Sequence, residues 1–260
     1  MSVTTPKPPA LAAELEALLR RLRLPYVRAA APEVLATATA QRWEPTEVLR
    51  VLFAEEAQGR DRATIRTRRR ASGLPAGKTF EAWEEAGSSI PQATQQALRT
   101  LEWIERGENL CVCGPSGTGK SHFAEALGHL AIDRGKTVAW HTLESLEGLV
   151  RRHRADDTVT KAISKLIRCD LVIVDDVGML PVSAEAAEAL FRIVDAAYER
   201  RSLALTSNIH PSGFDELMPK TLAAATVDRL LHHAHVIVTD GIESYRLAQA
   251  TEGKGVVPLS

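Results

Sequence analysis

Gly114-Pro115-Ser116-Gly117-Thr118-Gly119-Lys120-Ser121 is the stretch on which the reading of the fold turns. It fits G-x-x-x-x-G-K-[ST], the pattern of a phosphate-binding loop. Ahead of it, Asn109-Leu110-Cys111-Val112-Cys113 is short and apolar, as a buried strand would be. Behind it, the run from His122 to Ala131 is rich in Ala and Leu at helical spacing. The loop therefore lies between a strand and a helix. There its glycines let successive N–H groups converge on one point, and the helix start adds its positive dipole end. Lys120 would reach the β- and γ-phosphates of a nucleotide, and the Ser121 hydroxyl would ligate Mg²⁺.

A second signature follows downstream. Leu171-Val172-Ile173-Val174 runs straight into Asp175-Asp176. Four apolar residues without alternation indicate a strand buried on both faces, as in a parallel sheet. At its carboxyl end Asp175 is expected to hold Mg²⁺ through the metal's water shell, opposite Ser121, and Asp176 to orient or deprotonate the attacking water. Leu203-Ala204-Leu205-Thr206 reads as the next strand, ending at Ser207-Asn208. Asn208 is then either a γ-phosphate contact or a turn residue before Pro211.

The remaining pattern fits the same architecture. Strands are expected at 136–140 and 236–238, and helices at 91–106, 143–154, 159–167, 184–200 and 222–233. Alternating strands and helices make a doubly wound α/β domain. Before it, Leu11, Leu15, Leu18, Leu19 and Leu22 form one helical stripe, Tyr26 to Gln41 reads as a second helix, and Pro45 suits the start of a third. Gly73-Leu74-Pro75-Ala76-Gly77 breaks that third helix. The expected division is a small helical domain over 1–77, an ATPase domain over 78–250 and a loose tail from 251.

The chain has 260 residues, 45% hydrophobic and 25% charged, with a net charge of −1. That is ordinary globular composition. No apolar run is long enough to span a bilayer, and residues 1–9 lack the apolar core of a signal peptide. Three cysteines and no signal core lead to the expectation of a reducing, cytoplasmic setting. Cys111 and Cys113 read as small buried hydrophobes rather than a metal pair. His232, His233 and His235 invite a metal reading, but no Cys or acid is spaced to complete it and the segment becomes a strand.

Charge is unevenly spread. Residues 1–77 carry 13 Lys and Arg against 8 Asp and Glu, while the rest carry 19 against 25. The basic excess lies away from the phosphate loop, so a second anionic partner is implied, and nucleic acid is the usual one. It is concentrated in Arg60, Arg62, Arg66, Arg68, Arg69 and Arg70. This run is either a solvated face or a surface that tracks phosphates. Arg151, Arg152 and Arg154 form a second basic group. Arg229, in a helix just before the last strand, is expected to act as an arginine finger on the ATP of an adjacent subunit.

Taken together, GPSGTGKSH (114–122), LVIVDDVG (171–178), LTSN (205–208), DRLLHHAHVI (228–237) and GIESYRL (241–247) resemble the IstB family of transposition helper ATPases. That family belongs to the AAA+ group, close to the helicase loader DnaC and the initiator DnaA. The resemblance covers about residues 10–250. It implies an AAA+ domain with a five-stranded parallel sheet, a small all-α N-terminal domain and no C-terminal lid. It also implies that Gly114, Pro115, Ser116, Gly117, Thr118, Gly119, Lys120, Ser121 and His122 bind ATP with Mg²⁺. Lys120, Asp175, Asp176, Asn208 and Arg229 would serve hydrolysis. Arg246 resembles the family's motif arginine, but too little chain follows it to build a sensor lid. The partners implied are double-stranded DNA, a transposase and further copies of the chain. A helicase loader is the alternative, whereas a small-molecule kinase lacks an acceptor pocket in this sequence.

Overall fold

The structure is a computed structural model that describes residues 9–154, 157–178 and 182–239. The tail, the GIESYRL stretch with Arg246 and the question of a lid lie outside the described residues. The chain divides into two compact units, Met1–Thr67 and Arg68–Ser260. The division falls inside a helix, upstream of the Gly73–Gly77 break read as the domain boundary.

The first unit is helical: α1 (Ala13–Arg21), α2 (Pro25–Gln41) and α3 (Pro45–Ser72), the last running on into the second unit. Pro25 opens α2, where a missing N–H costs nothing. Pro32 lies inside that helix and does not break it. Of the leucine stripe on α1, Leu19 is buried while Leu15, Leu18 and Leu22 are exposed. The unit is joined by Glu56 of α3, which is buried and accepts the backbone N–H groups of Tyr26 (2.9 Å) and Val27 (3.0 Å) at the start of α2. A side chain from another helix thus satisfies two of the donors that every helix start leaves open. Arg60 completes the arrangement, pairing with Glu56 at 2.8 Å. Gly59 allows the close approach: a Cβ there would lie 2.2 Å from the Tyr26 ring.

Burial works against the Glu56 carboxylate, but the Val27 amide, the Arg60 guanidinium and the Tyr26 amide outweigh it and hold its pKa below the ordinary 4.5. A carboxyl with a lowered folded pKa adds stability above its unfolded value and loses it as pH falls through the folded one. Glu56→Ala should therefore lower the stability of this unit by roughly 1–3 kcal/mol at neutral pH. The gap between variant and wild type should close as pH falls below 4.5. Thermal unfolding of the two proteins across pH checks this, and a gap independent of pH would contradict it.

The second unit holds a short 3-10 turn (Phe80–Ala82), α4 (Gln92–Arg99), α5 (Glu102–Glu105), β1 (Asn109–Cys113), α6 (Lys120–Asp133), β2 (Val138–Thr142), α7 (Leu143–Arg154) and α8 (Val159–Leu166). After them come β3 (Leu171–Val177), α9 (Ala184–Ala197), β4 (Ser202–Ser207), a second 3-10 turn (Pro211–Glu216), α10 (Lys220–Leu231) and β5 (Ala234–Val238). The five strands form one parallel sheet in the order β2-β3-β4-β1-β5. Helices cover both faces, which is why β1, β3 and β4 are buried almost throughout. Cys111, Cys113, Val172, Val174, Leu203 and Leu205 join the core that includes α7, α9 and α10. Ile173 points the other way, toward α6, where a Cβ on Gly128 would meet it at 2.9 Å. This is the α/β architecture with a five-stranded parallel sheet that the sequence led us to expect.

Helix α10 and strand β5 each begin two positions earlier than their sequence reading, and three further elements differ for a local reason. The single helix expected over 91–106 is two, because Leu101 takes a left-handed φ of 65° and the Trp103 indole N–H takes the Leu98 carbonyl at 3.1 Å. Strand β2 begins two positions late, since Asp170 clamps the Thr137 amide and hydroxyl, each at 2.8 Å. Helix α9 ends at Ala197, short of Arg200, as Tyr198 leaves the helical region and Glu199 turns left-handed. Among the described residues no helix is long and apolar enough to cross a membrane.

Candidate functional site

β1 ends at Cys113, and the loop that follows is shaped by its glycines. Gly114 has φ 143°, and a Cβ there would come within 2.2 Å of the Thr239 carbonyl, so only glycine lets this turn pass the end of β5. Gly119, at φ 85°, is the residue from which α6 starts. Thr118 braces the loop through Pro115 O (3.0 Å) and the Thr239 hydroxyl (2.8 Å). Lys120 is buried, and its ammonium donates to Pro115 O at 2.7 Å, spanning the loop from within.

The sheet order brings the carboxyl ends of β3 and β4 beside this loop. One cleft of about 320 Å³ is lined by Lys78, Ser116, Gly117, Gly119, Lys120, Ser121, His122, Asp175, Asp176 and Asn208. Residues from four separate stretches of sequence meet there. Gly114, Pro115 and Thr118 shape the loop without lining the cleft.

The two aspartates are placed differently although adjacent. Asp175 is buried and accepts a hydrogen bond from the Thr206 hydroxyl. Asp176 is exposed, sits at φ 61° and donates its backbone N–H to the same Thr206 oxygen at 3.1 Å. The β3–β4 register shifts between Val174 and Val177, so a bulge turns successive acids into different environments. Thr206 links the pair, and its role was not read from the sequence. The signal available was its place inside LTSN. Asn208, held by its backbone N–H to Val177 O at 3.1 Å, follows directly. The Ser121 hydroxyl and the Asp175 carboxylate are hard oxygen donors in one cleft, which suits Mg²⁺.

Arg229 is not in this cleft. It pairs with Asp195 of α9 at 3.0 Å and lies 5.8 Å from the centroid of the Phe191 ring. The arginines of α3 fall into two groups. Arg60 and Arg69 are paired, with Glu56 (2.8 Å) and Asp133 (2.6 Å), Arg62 stands 4.0 Å from Glu55, and Arg68 donates to Gly135 O. Among the described residues Arg66 and Arg70, one helical turn apart, make no ion pair. On α7, Arg151 pairs with Glu147 and Arg154 with Glu185 and Glu188, while Arg152 is exposed and has no ion pair among the described residues.

Cys111 and Cys113 are buried in the sheet. Burial pushes the Cys113 thiol up to about 11, and Cys111 is raised as well. The histidine cluster differs from its sequence reading. His235 pairs with Glu108 at 2.7 Å, but His232 and His233 meet the carboxylate of Glu199, all three exposed and with ligand atoms within 4.8 Å of one another. The acid arrives from the turn before β4, where sequence spacing gives no sign of it.

The IstB-like ATP binding protein family matches residues 17–253. An IS21 insertion-sequence ATP-binding protein of Pseudomonas aeruginosa is 31% identical over 253 residues, covering 95% of each chain. An IS5376 insertion-sequence ATP-binding protein of Geobacillus stearothermophilus is 31% identical over 231 residues, 88% of this chain and 92% of its own. Among solved structures, AMPPCP-bound DnaA of Aquifex aeolicus matches at TM-score 0.53 and 22% identity, covering 70% of this chain and 56% of DnaA. DnaI matches at TM-score 0.53 and 15% identity, covering 65% of this chain and 96% of its own. This chain thus spans little more than half of DnaA, and at such identities these structures speak for the fold alone. The family model matches most of the chain and the relatives align along nearly their whole length, and the chain belongs to the IstB-like ATP-binding proteins.

Proposed function

We propose that this chain is an ATP-hydrolysing switch that assembles on double-stranded DNA and assists a transposase in selecting and entering target DNA. The observation that carries the proposal is the cleft that gathers Lys120, Ser121, Asp175, Asp176 and Asn208. It occurs in a chain whose relatives along nearly their whole length are named for insertion sequences.

The residues divide the work as follows. The loop amides and Lys120 take the β- and γ-phosphates, for which Lys120 exchanges the Pro115 carbonyl for a phosphate oxygen. Ser121 and Asp175 would hold Mg²⁺, which neutralises charge developing on the phosphates. Asp176 orients the attacking water, and Asn208 contacts the water or the γ-phosphate. Arg229 completes the site of a neighbouring copy, which accounts for its place outside its own cleft. On α3, Arg66 and Arg70 have neither a carboxylate partner nor, unlike Arg68, a backbone carbonyl among the described residues, and they are the first candidates for backbone phosphates. Such contacts carry no sequence information, so binding should be general and steeply salt-dependent. ATP drives the change by favouring the assembled state over the separate one.

Filter binding of duplex DNA with ATP, with ADP and without nucleotide tests the switch, with particle size read in parallel. Wild type should bind tightly and grow in size only with ATP. Lys120→Ala should behave as nucleotide-free protein in every condition. Charge reversal at Arg66 and Arg70 should weaken binding alike on all sequences and reduce the salt slope by about 1 per arginine. Equal DNA affinity with and without ATP rejects the switch, and unchanged affinity after charge reversal removes α3 from the footprint.

A further inference from the structure

One charged side chain in the cleft belongs to neither nucleotide signature. Lys78 comes from the strap between α3 and the first 3-10 turn, and it lines the cleft beside Ser116, Lys120 and His122. Its ammonium is 3.5 Å from Oε2 of Glu125, and its backbone N–H donates to Oε1 of the same carboxylate at 3.1 Å. Glu125 lies inside α6 and is fully buried, and its Oε2 accepts no hydrogen bond among the described residues. His129 stands 4.0 Å from Oε1.

A buried carboxylate is costly, and an apolar residue of similar volume usually serves a core at least as well. The acid at 125 has a reason if it holds an ammonium where an anion must come. The Lys78 side chain is nearly half exposed, so the pairing does not remove its charge from the cleft. The charge balance points the same way. Without Lys78 the lining has one lysine against the carboxylates of Asp175 and Asp176. With it, the lining itself carries two lysines against two carboxylates, and the Glu125 carboxylate stands behind Lys78.

The strap also places Lys78 along the nucleotide. The Thr79 carbonyl lies 3.2 Å from His122 Nε2, the Trp83 ring is 5.0 Å from that of His122, and a Cβ on Gly119 would meet Trp83 at 3.0 Å. The strap and the 3-10 turn that follows it are therefore pressed against the last residues of the loop and the first turn of α6. In loops of this pattern the backbone there cradles the α- and β-phosphates. Asp175, Asp176 and Asn208 belong instead to the γ end.

We propose that Lys78 is a nucleotide ligand, directed by Glu125 onto the α- and β-phosphates that ATP and ADP share. Glu125 acts as its positioning residue. The proposal rests on the nucleotide-binding reading of the cleft and assigns it a ligand outside both signatures. Because Lys78 leads back to α3 through a short strap, occupancy of the cleft by either nucleotide holds that strap in place.

The test is fluorescence titration of full-length protein with mant-ADP and mant-ATP in Mg²⁺, below the thermal midpoint of every variant. Lys78→Met should weaken both nucleotides alike, about tenfold or more. It should also lower the midpoint by stranding Glu125. The double variant Lys78→Met/Glu125→Gln leaves no stranded carboxylate at position 125, so it should recover the midpoint but not the affinity, whereas Lys78→Arg should keep both. Affinity that returns with the midpoint in the double variant would make Lys78 a purely structural partner of Glu125 and overturn the proposal. So would Lys78→Met binding ADP as wild type does. Wild type that binds neither nucleotide would instead overturn the reading of the cleft itself.

Discussion

Asp176→Asn should leave ATP affinity close to wild type while ATP turnover falls about 10²- to 10⁴-fold, the range a positioned acid–base group contributes. The expectation follows from where the two acids stand. Asp175 is buried and engaged by Thr206, which suits an acid that holds a metal's water shell in a fixed place. Asp176 is exposed in the cleft, raised there by a left-handed backbone and a shift in strand register. A non-glycine residue in that region costs about 1–3 kcal/mol and persists only where its surroundings enforce it. Here the enforcing contact is the Thr206 hydroxyl, which accepts the Asp176 N–H at 3.1 Å. The amide of asparagine keeps the size and the backbone preference but loses the basic oxygen. Single-turnover hydrolysis alongside mant-ATP binding separates the two effects. Turnover that persists in Asp176→Asn would reassign the water-activating role to another group.

Arg229→Ala should lower ATP turnover of assembled protein by about 10³-fold or more, the contribution of an arginine that meets transferring phosphate. Its stability should barely change. The Arg229–Asp195 pair is partly exposed, and such pairs contribute about 0–1 kcal/mol. A collapse in turnover at a constant thermal midpoint is therefore the signature of a functional arginine and not of a lost surface contact. Because Arg229 lies outside its own cleft, the loss should be complementable. Mixing Arg229→Ala with Lys120→Ala creates interfaces where an intact loop faces an intact arginine, and part of the activity should return. No recovery at any mixing ratio would remove Arg229 from the neighbouring site.

The parts of the molecule legible in the sequence are those whose physics is local. Asn109 to Ser121 is strand, loop and helix start in one unbroken run, so its backbone geometry follows from residue order and glycine placement alone. The unalternated Leu171–Val174 announced burial on both faces, and β3 is buried from end to end except at Asp176. The helix over 143–154 likewise appears with the boundaries its periodicity implied. Where a tertiary partner intervenes, boundaries move: the Trp103 indole ends α4 early, and Asp170 delays β2.

Chemistry assembled across the fold was not legible in the same way. Thr206 reaches Asp175 from 31 residues away, Lys78 reaches Glu125 from 47, and Glu199 joins His232 and His233 across α10. None of these spacings is a motif, because the distance between such partners is set by strand order and helix packing. The arginine run shows the same limit. Six arginines look alike in sequence, yet Arg69 is tied to Asp133 while Arg66 and Arg70 have no carboxylate beside them among the described residues. Residue order alone thus determined that a phosphate loop opens a parallel sheet, since a single continuous backbone segment encodes it. Only the folded chain decided which acid is buried, which arginines are tied to carboxylates and which lysine lines the cleft, since those depend on neighbours brought together by the sheet.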